Sequence, residues 1–149
     1  MGVKISREFV LSSLLWIGSW GILSAHCVSV PQATLYGGPG KEYPRMEWKP
    51  MQYTPLRYLD NSNEWYKVQD VDGDIHWIHQ GEVIRSMFCF VAKAQVLDLW
   101  EGPGSSYGQV GRAKKYDAFR FLRRQGDWVS GLNTDGFQIW VSAKEVWVH

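Results

Sequence analysis

The feature that most constrains this chain is an internal repeat. Five landmarks occur twice, in the same order, at a spacing of 63 or 64 residues. They pair as Gly38-Pro39-Gly40 (followed by Tyr43) with Gly102-Pro103-Gly104 (followed by Tyr107), Trp65 with Trp128, Asp72-Gly73 with Asp135-Gly136, Trp77-Ile78 with Trp140-Val141, and Glu82-Val83 with Glu145-Val146. This arrangement predicts one structural unit that is present twice.

Each copy has the pattern of short β-strands separated by turns. In the first copy, Pro55–Leu59 alternates apolar and polar residues, as a half-buried strand does. Asp72-Gly73 between apolar runs predicts a tight hairpin. A unit of about 60 residues is marginal for folding, but 15% of the residues are aromatic and nine are Trp, which supplies large core side chains. We therefore predict an all-β fold of two tandem small β-barrels, at residues 31–86 and 87–149.

The pattern of the first 25 residues predicts a signal for export. Lys4 and Arg7 precede an uncharged apolar run, Phe9–Ala25, which ends in small residues. This order is typical of a secretory signal peptide, with cleavage before His26 or before Val28. At roughly 17 residues, the run also reaches the lower limit for a retained membrane anchor. We expect a protein of the periplasm or cell envelope that contacts the membrane only if this segment is retained.

The chain contains two cysteines, Cys27 and Cys89. In an oxidising compartment they could form one disulfide or remain unpaired, and cleavage before Val28 would leave Cys89 alone. Because Cys89 lies within the apolar run Phe88–Val91, we favour a buried, unpaired thiol. Such a thiol is a poor nucleophile, which disfavours a cysteine hydrolase.

Charge and motif content argue against several classes of function. The net charge of +1 is unlike that of a nucleic-acid-binding protein, which normally has a basic excess. Residues 26–86 carry a charge of −2 and residues 87–149 carry +2. We interpret the basic excess of the second copy as a solvated face of the barrel, with binding to an anionic partner as the alternative. Neither Gly-Pro-Gly loop precedes Lys-Ser/Thr and a helix, so no phosphate-binding loop is predicted.

Metal sites are also disfavoured. His76 and His79 are three residues apart in a predicted strand and point to opposite faces, so we expect solvated or turn-capping side chains. The acidic residues of Asp70–Asp74 lack the remaining ligands of a calcium loop, which favours a hairpin turn. We predict no catalytic residues, no metal and no cofactor.

The landmarks resemble the bacterial Src-homology-3-like domain family, and in particular its paired-barrel subgroup, over roughly residues 31–149. In the first copy the resemblance lies in Gly38-Pro39 with Tyr43, the strand Trp65-Tyr66-Lys67-Val68, the Asp72-Gly73 turn and Trp77-Ile78-His79. The family implies an exported barrel that binds or targets to cell-wall material and is often attached to an enzyme. The sequence departs from the family at Tyr36 and Trp100, where the family usually carries an exposed Arg.

Aromatic residues near the two Gly-Pro-Gly loops are the candidates for ligand binding, because aromatic faces stack on sugar rings and short peptides. These residues are Tyr36, Tyr43 and Trp65 in the first copy and Trp100, Tyr107 and Trp128 in the second. Tyr36 and Trp100 are expected to be exposed, whereas Trp77 and Trp140 are expected in the core.

The predicted function is non-enzymatic binding in the bacterial cell envelope, with peptidoglycan or another wall component as the ligand. The alternative is a protein-interaction scaffold that docks an envelope protein through a Pro-rich or extended peptide.

Overall fold

The computed structural model describes residues 25–149 of the chain. These residues form twelve β-strands and two short 3₁₀ helices, so the predicted all-β class is confirmed. The predicted signal segment, residues 1–25, lies outside the described residues except for Ala25, which begins the first strand. Within residues 25–149, no helix is long and apolar enough to cross a membrane.

The first sheet is built from five antiparallel strands. They are β1 (Ala25–Val28), β2 (Pro55–Ser62), β3 (Trp65–Gln69), β4 (Ile75–His79) and β5 (Val83–Ile84). Their order in the sheet is β4-β3-β2-β1-β5. Within the long loop between β1 and β2, an isolated bridge joins Tyr36 to Arg45, and a second bridge joins Tyr36 to Trp77 of β4. This loop contains Gly38-Pro39-Gly40, so the fold places it beside the ends of β3 and β4.

The second sheet contains seven strands. They are β6 (Cys89–Ala92), β7 (Val96–Trp100), β8 (Gln109–Lys114), β9 (Ala118–Gln125), β10 (Trp128–Leu132), β11 (Gln138–Ser142) and β12 (Val146–Val148). Their order is β12-β6-β9-β10-β11-β7-β8. Five of these strands, β11-β10-β9-β6-β12, repeat the order of the first sheet. The segment after the second Gly-Pro-Gly contains β8.

The two Asp-Gly hairpins are built in the same way. Gly73 and Gly136 have φ angles of +91° and +84°, a region that glycine adopts without strain. The Asp70 carboxylate accepts hydrogen bonds from the backbone N–H groups two and four residues later, at 2.9 and 3.0 Å. The side-chain oxygen of Asn133 accepts the equivalent bonds at 3.0 and 2.9 Å. The hairpin predicted at Asp70–Asp74 is therefore confirmed.

Each sheet encloses its own apolar core. The first core consists of Val28, Ala33, Leu35, Leu56, Val68 and Ile78. The second consists of Phe90, Ala92, Leu97, Ala113, Phe119, Val129, Ile139, Val141 and Val146. At about 25 cal/mol per Å² of buried apolar surface, each cluster contributes the main stabilising term of its unit.

A disulfide joins the first strands of the two units. Cys27 of β1 and Cys89 of β6 are bonded, and their Cα atoms lie 6.1 Å apart. The favoured interpretation of Cys89 as an unpaired thiol is therefore wrong, because an apolar run buries a disulfide as readily as a thiol. The first sheet also begins earlier than residue 31, since β1 pairs with both β2 and β5.

A second attachment between the units lies at the first Asp-Gly hairpin. The Asp72 carboxylate accepts hydrogen bonds from the Lys115 ammonium group, at 2.8 Å, and from the Tyr116 hydroxyl. These two bonds lower the pKa of Asp72 below its ordinary value. The Trp48 ring packs on Tyr116 with 5.3 Å between ring centroids. A covalent link and a polar-aromatic contact together restrict how the two units can move.

Candidate functional site

Each Gly-Pro-Gly loop carries a tyrosine packed on its first glycine. A Cβ atom at Gly38 would lie 2.2 Å from the Tyr43 ring, and a Cβ atom at Gly102 would lie 2.3 Å from the Tyr107 ring. Glycine is therefore required by the close approach of the rings. Tyr43 is 42% exposed and Tyr107 is 49% exposed, so much of each ring remains open to solvent.

A groove lies beside the loop of the first unit, and we name it the Trp65 groove. It consists of two depressions of about 320 and 470 Å³ that share the side chains of Lys41, Trp65 and His79. The remaining lining side chains that bear on ligand chemistry are Tyr36, Pro39, Glu42, Asn63, Glu64 and Glu82. An aromatic surface and charges of both signs therefore meet in one concave region.

Trp65 is held in the groove by rings on two sides. It begins β3 and pairs directly with His79 of β4, and the two rings meet edge to face with centroids 5.4 Å apart. Tyr36 meets Trp65 in the same way at 5.1 Å. Because Trp65 remains only half-buried, its indole is fixed in orientation while part of its surface is open to a ligand.

The charged side chains give the groove an acidic character. The Nδ1 atom of His79 accepts a hydrogen bond from the Gly81 N–H at 3.1 Å, and its Nε2 atom lies 3.8 Å from the Glu64 carboxylate. Burial raises the pKa of Glu82, and a hydrogen bond from the Thr34 backbone and the charge of nearby Lys41 oppose that effect. The groove is lined by three carboxylates, from Glu42, Glu64 and Glu82, and by the single ammonium group of Lys41. This excess of negative charge favours a ligand with an ammonium group.

Tyr36 does not have the exposure expected of it. Only 5% of its surface is accessible, because its backbone exchanges hydrogen bonds with Trp77 at 2.8 and 2.9 Å. Its ring supports Trp65, and the Arg45 guanidinium lies 5.9 Å from its centroid. The expectation of an exposed stacking residue at Tyr36 is therefore wrong, and the residue positions Trp65 instead.

The second unit repeats the aromatic pair without the basic groups. Trp100 and Trp128 meet edge to face with centroids 6.4 Å apart, and both are half-buried. At the repeat spacing, the two basic groups of the Trp65 groove correspond to Ser105 and Ser142. The expectation that Trp100 is exposed is met only in part. The two basic side chains distinguish the first unit, since Asp127 and Glu145 occupy the positions equivalent to Glu64 and Glu82.

Two of the four tryptophans and histidines with an expected environment agree with it, and two differ. His79 caps the 3₁₀ helix Gln80–Glu82 through the Gly81 N–H, as expected for a turn-capping side chain. Trp140 is 3% exposed, as predicted for the core, but Trp77 is only half-buried. His76 is buried and its Nε2 atom lies 2.7 Å from the Asp70 carboxylate, so it is not the solvated side chain expected from the sequence. Among residues 25–149, no group of three His, Cys, Asp or Glu side chains could hold a metal ion.

Sequence reasoning missed the charged part of the site. Lys41, Glu64 and Glu82 lie far apart along the chain and no single motif contains all three, so only the fold shows that they face one groove. His79 had a usable signal, because strand pairing across the Asp-Gly hairpin places it opposite Trp65.

Comparisons with known proteins find a family model that matches the first unit. The family model described as "Bacterial SH3 domain" matches residues 29–84. Similar solved structures include an NlpC/P60 family protein from Bacillus cereus, with 12% identity over 85% of this chain and 56% of that chain and a TM-score of 0.39. NlpC1 from Trichomonas vaginalis has 10% identity over 86% of this chain and 46% of that chain, with a TM-score of 0.38. The structure titled "Endolysin LysPBC5 CBD" has 12% identity, coverages of 85% and 93%, and a TM-score of 0.35.

No curated protein sequence matches the chain. The chain spans about half the length of the NlpC/P60 and NlpC1 structures. The similarity to the bacterial SH3 domain family is therefore limited to the match over residues 29–84.

Proposed function

We propose that this protein, whose residues 29–84 match the bacterial SH3 domain family, is an exported, non-enzymatic binding module of the bacterial cell envelope. Its proposed ligand is peptidoglycan, bound in the Trp65 groove. The observation that carries the proposal is the combination, in one concave site, of a fixed half-buried indole with acidic and basic side chains.

The chemistry of the groove matches the groups that peptidoglycan presents. The indole of Trp65 offers a face to a sugar ring or to the backbone of a stem peptide. Glu64 and Glu82 can pair with a free ammonium group, and Lys41 with a free carboxylate. Stem peptides carry both kinds of group beside sugar rings, whereas a Pro-rich peptide would leave these charges without partners.

Export is supported by two features of the chain. Lys4 and Arg7 ahead of the apolar run indicate a secretory signal. The disulfide between Cys27 and Cys89 is the kind of bond that persists in an oxidising compartment. Because Cys27 must be retained for this bond, the proposal favours cleavage before His26 over cleavage before Val28.

Sedimentation with purified, protein-free sacculi tests this function. The wild-type protein should sediment with the wall, and Trp65→Ala should lower its affinity several-fold, since losing an anchoring aromatic typically costs more than about 1 kcal/mol. Trp128→Ala, at the equivalent position of the second unit, is the matched control and should bind like the wild type.

A second variant shows whether weaker binding can occur without loss of the fold. Glu64 has 71% of its side chain exposed, so Glu64→Lys should melt at the wild-type temperature and still bind weakly. If the protein stays in the supernatant but co-purifies with an envelope protein, the interaction-scaffold alternative is correct. If Glu64→Lys and Trp65→Ala both bind like the wild type, the groove is not the site.

A further inference from the structure

A second pocket opens in the first unit, next to the turn that joins β2 to β3. Its volume is about 280 Å³, and it is separate from the Trp65 groove except that Asn63 lines both. We name it the Tyr58 pocket. Neither the motifs in the sequence nor the proposed function makes use of it.

Three aromatic rings form one side of the Tyr58 pocket. The His26 ring stacks on Tyr58 with centroids 5.1 Å apart. Tyr66 meets His26 edge-on at 5.0 Å and meets Tyr58 edge-on at 5.6 Å. His26 is 1% exposed, whereas both tyrosines are half-buried and line the opening. The rings therefore support one another and leave aromatic surface exposed to the pocket.

The rest of the lining is polar and carries no carboxylate. It is made by the carboxamides of Asn61, Asn63 and Gln80 and by the guanidinium of Arg85. The Tyr58 hydroxyl donates a hydrogen bond to the Asn61 side-chain oxygen at 2.8 Å, which fixes that amide. The backbone N–H of Gln80 donates to the Glu64 carbonyl at 2.8 Å, which fixes the base of its side chain.

We propose that the Tyr58 pocket binds a sugar that bears a carboxylate. Tyrosine faces stack on the apolar side of a pyranose ring, and carboxamides both donate to and accept from hydroxyl and N-acetyl groups. Arg85 supplies the planar pair of donors that matches a carboxylate. Since the pocket has one positive charge and no negative one, it differs from the acidic Trp65 groove, which is suited to an ammonium group.

The carboxylate of such a sugar has two sources in bacterial envelopes. One is a muramic acid unit whose lactyl carboxylate is free because the stem peptide has been hydrolysed from it. The other is a uronic acid of an acidic polysaccharide. The proposal does not require anything to bind in the Trp65 groove, so it can be tested independently of the proposed function.

Titration with small sugars, followed by NMR, tests the proposal on the full chain. N-acetylmuramic acid should shift the side-chain amide signals of Asn61, Asn63 and Gln80. N-acetylglucosamine, which has the same ring without the lactyl carboxylate, should bind several-fold more weakly. Glucuronic acid forms a second arm: equal binding of the two acids indicates any sugar acid, and a preference for one identifies its source.

A variant of Arg85 tests whether the NMR shifts report binding in the Tyr58 pocket. Arg85 is exposed, so Arg85→Gln should fold normally and should abolish the preference for the acid over N-acetylglucosamine. Arg120→Gln, a change at an exposed arginine of the second unit, is the matched control and should keep the preference. Absence of shifts at the three amides with both acids, or an unchanged preference in Arg85→Gln, would overturn the proposal.

Discussion

Removal of the disulfide should destabilise the protein strongly. In the double variant Cys27→Ala/Cys89→Ala, the two cysteines that close a loop of sequence separation 62 are replaced. For a loop of this length, the chain-entropy relation gives a loss of about 4 kcal/mol in the free energy of unfolding. In a domain of this size, that loss corresponds to roughly 12–20 °C in Tm.

The structure gives a reason to expect most of this effect. Both cysteines are fully buried, and β1 is held to the first sheet by only a few residues, through pairs such as His26 with Leu56 and Cys27 with Ile84. The strand nevertheless pairs with both β2 and β5, and Val28 lies in the first core, so the sheet should persist without the bond. The loss of stability should therefore come from the freedom that the unfolded chain gains.

Equilibrium unfolding in urea measures the effect. The oxidised wild type is compared with the double variant and with wild type kept reduced during the experiment. The two altered proteins should agree, because both lack the same cross-link. A difference of less than about 1 kcal/mol between oxidised and reduced wild type would show that the unfolded chain gains little freedom and would refute the entropic argument.

Three further changes have defined outcomes. Asp72→Asn should weaken the attachment between the units. Because the hydrogen bond from Lys115 lowers the pKa of Asp72, the wild type should lose the same stabilisation as the pH falls through that lowered pKa. Melting curves of the two proteins over a series of pH values measure this effect. Gly38→Ala should cost about 1–3 kcal/mol in urea unfolding, because the new Cβ must displace the Tyr43 ring, and an unchanged midpoint would contradict this packing. Tyr36→Ala should lower Tm as a core truncation does, by an amount equivalent to about 3–5 kcal/mol, and a wild-type Tm would restore its interpretation as a surface residue.

Most of the fold could be predicted from the internal repeat. Strands such as Trp65–Gln69 and Trp128–Leu132 follow from alternation and Asp-Gly turns, which act over a few residues and are visible in the sequence. Strand β1 was missed because it directly follows the apolar signal run, so no turn or change in composition marks its start. The disulfide was missed for the same reason, since only the position of β1 brings Cys27 to Cys89.

The candidate site was predictable in its aromatic part only. The repeat drew attention to Trp65 and Trp128, which are half-buried and paired with other rings. Tyr36 was misjudged because a position beside a turn does not reveal that its backbone bridges to Trp77. Burial of this kind depends on contacts between residues distant in sequence, and local pattern does not encode them.

The position of the disulfide also decides how the protein would respond to mechanical tension. A force applied between Ala25 and His149 would pass from β1 through the Cys27–Cys89 bond directly into β6, so the chain between the two cysteines, which contains the whole lining of the Trp65 groove, would carry no load. In the second unit, Cys89 and His149 face each other and exchange backbone hydrogen bonds of 3.0 and 3.1 Å. Pulling there would separate β6 from β12 one residue pair at a time, so the second unit would yield while the first stays folded.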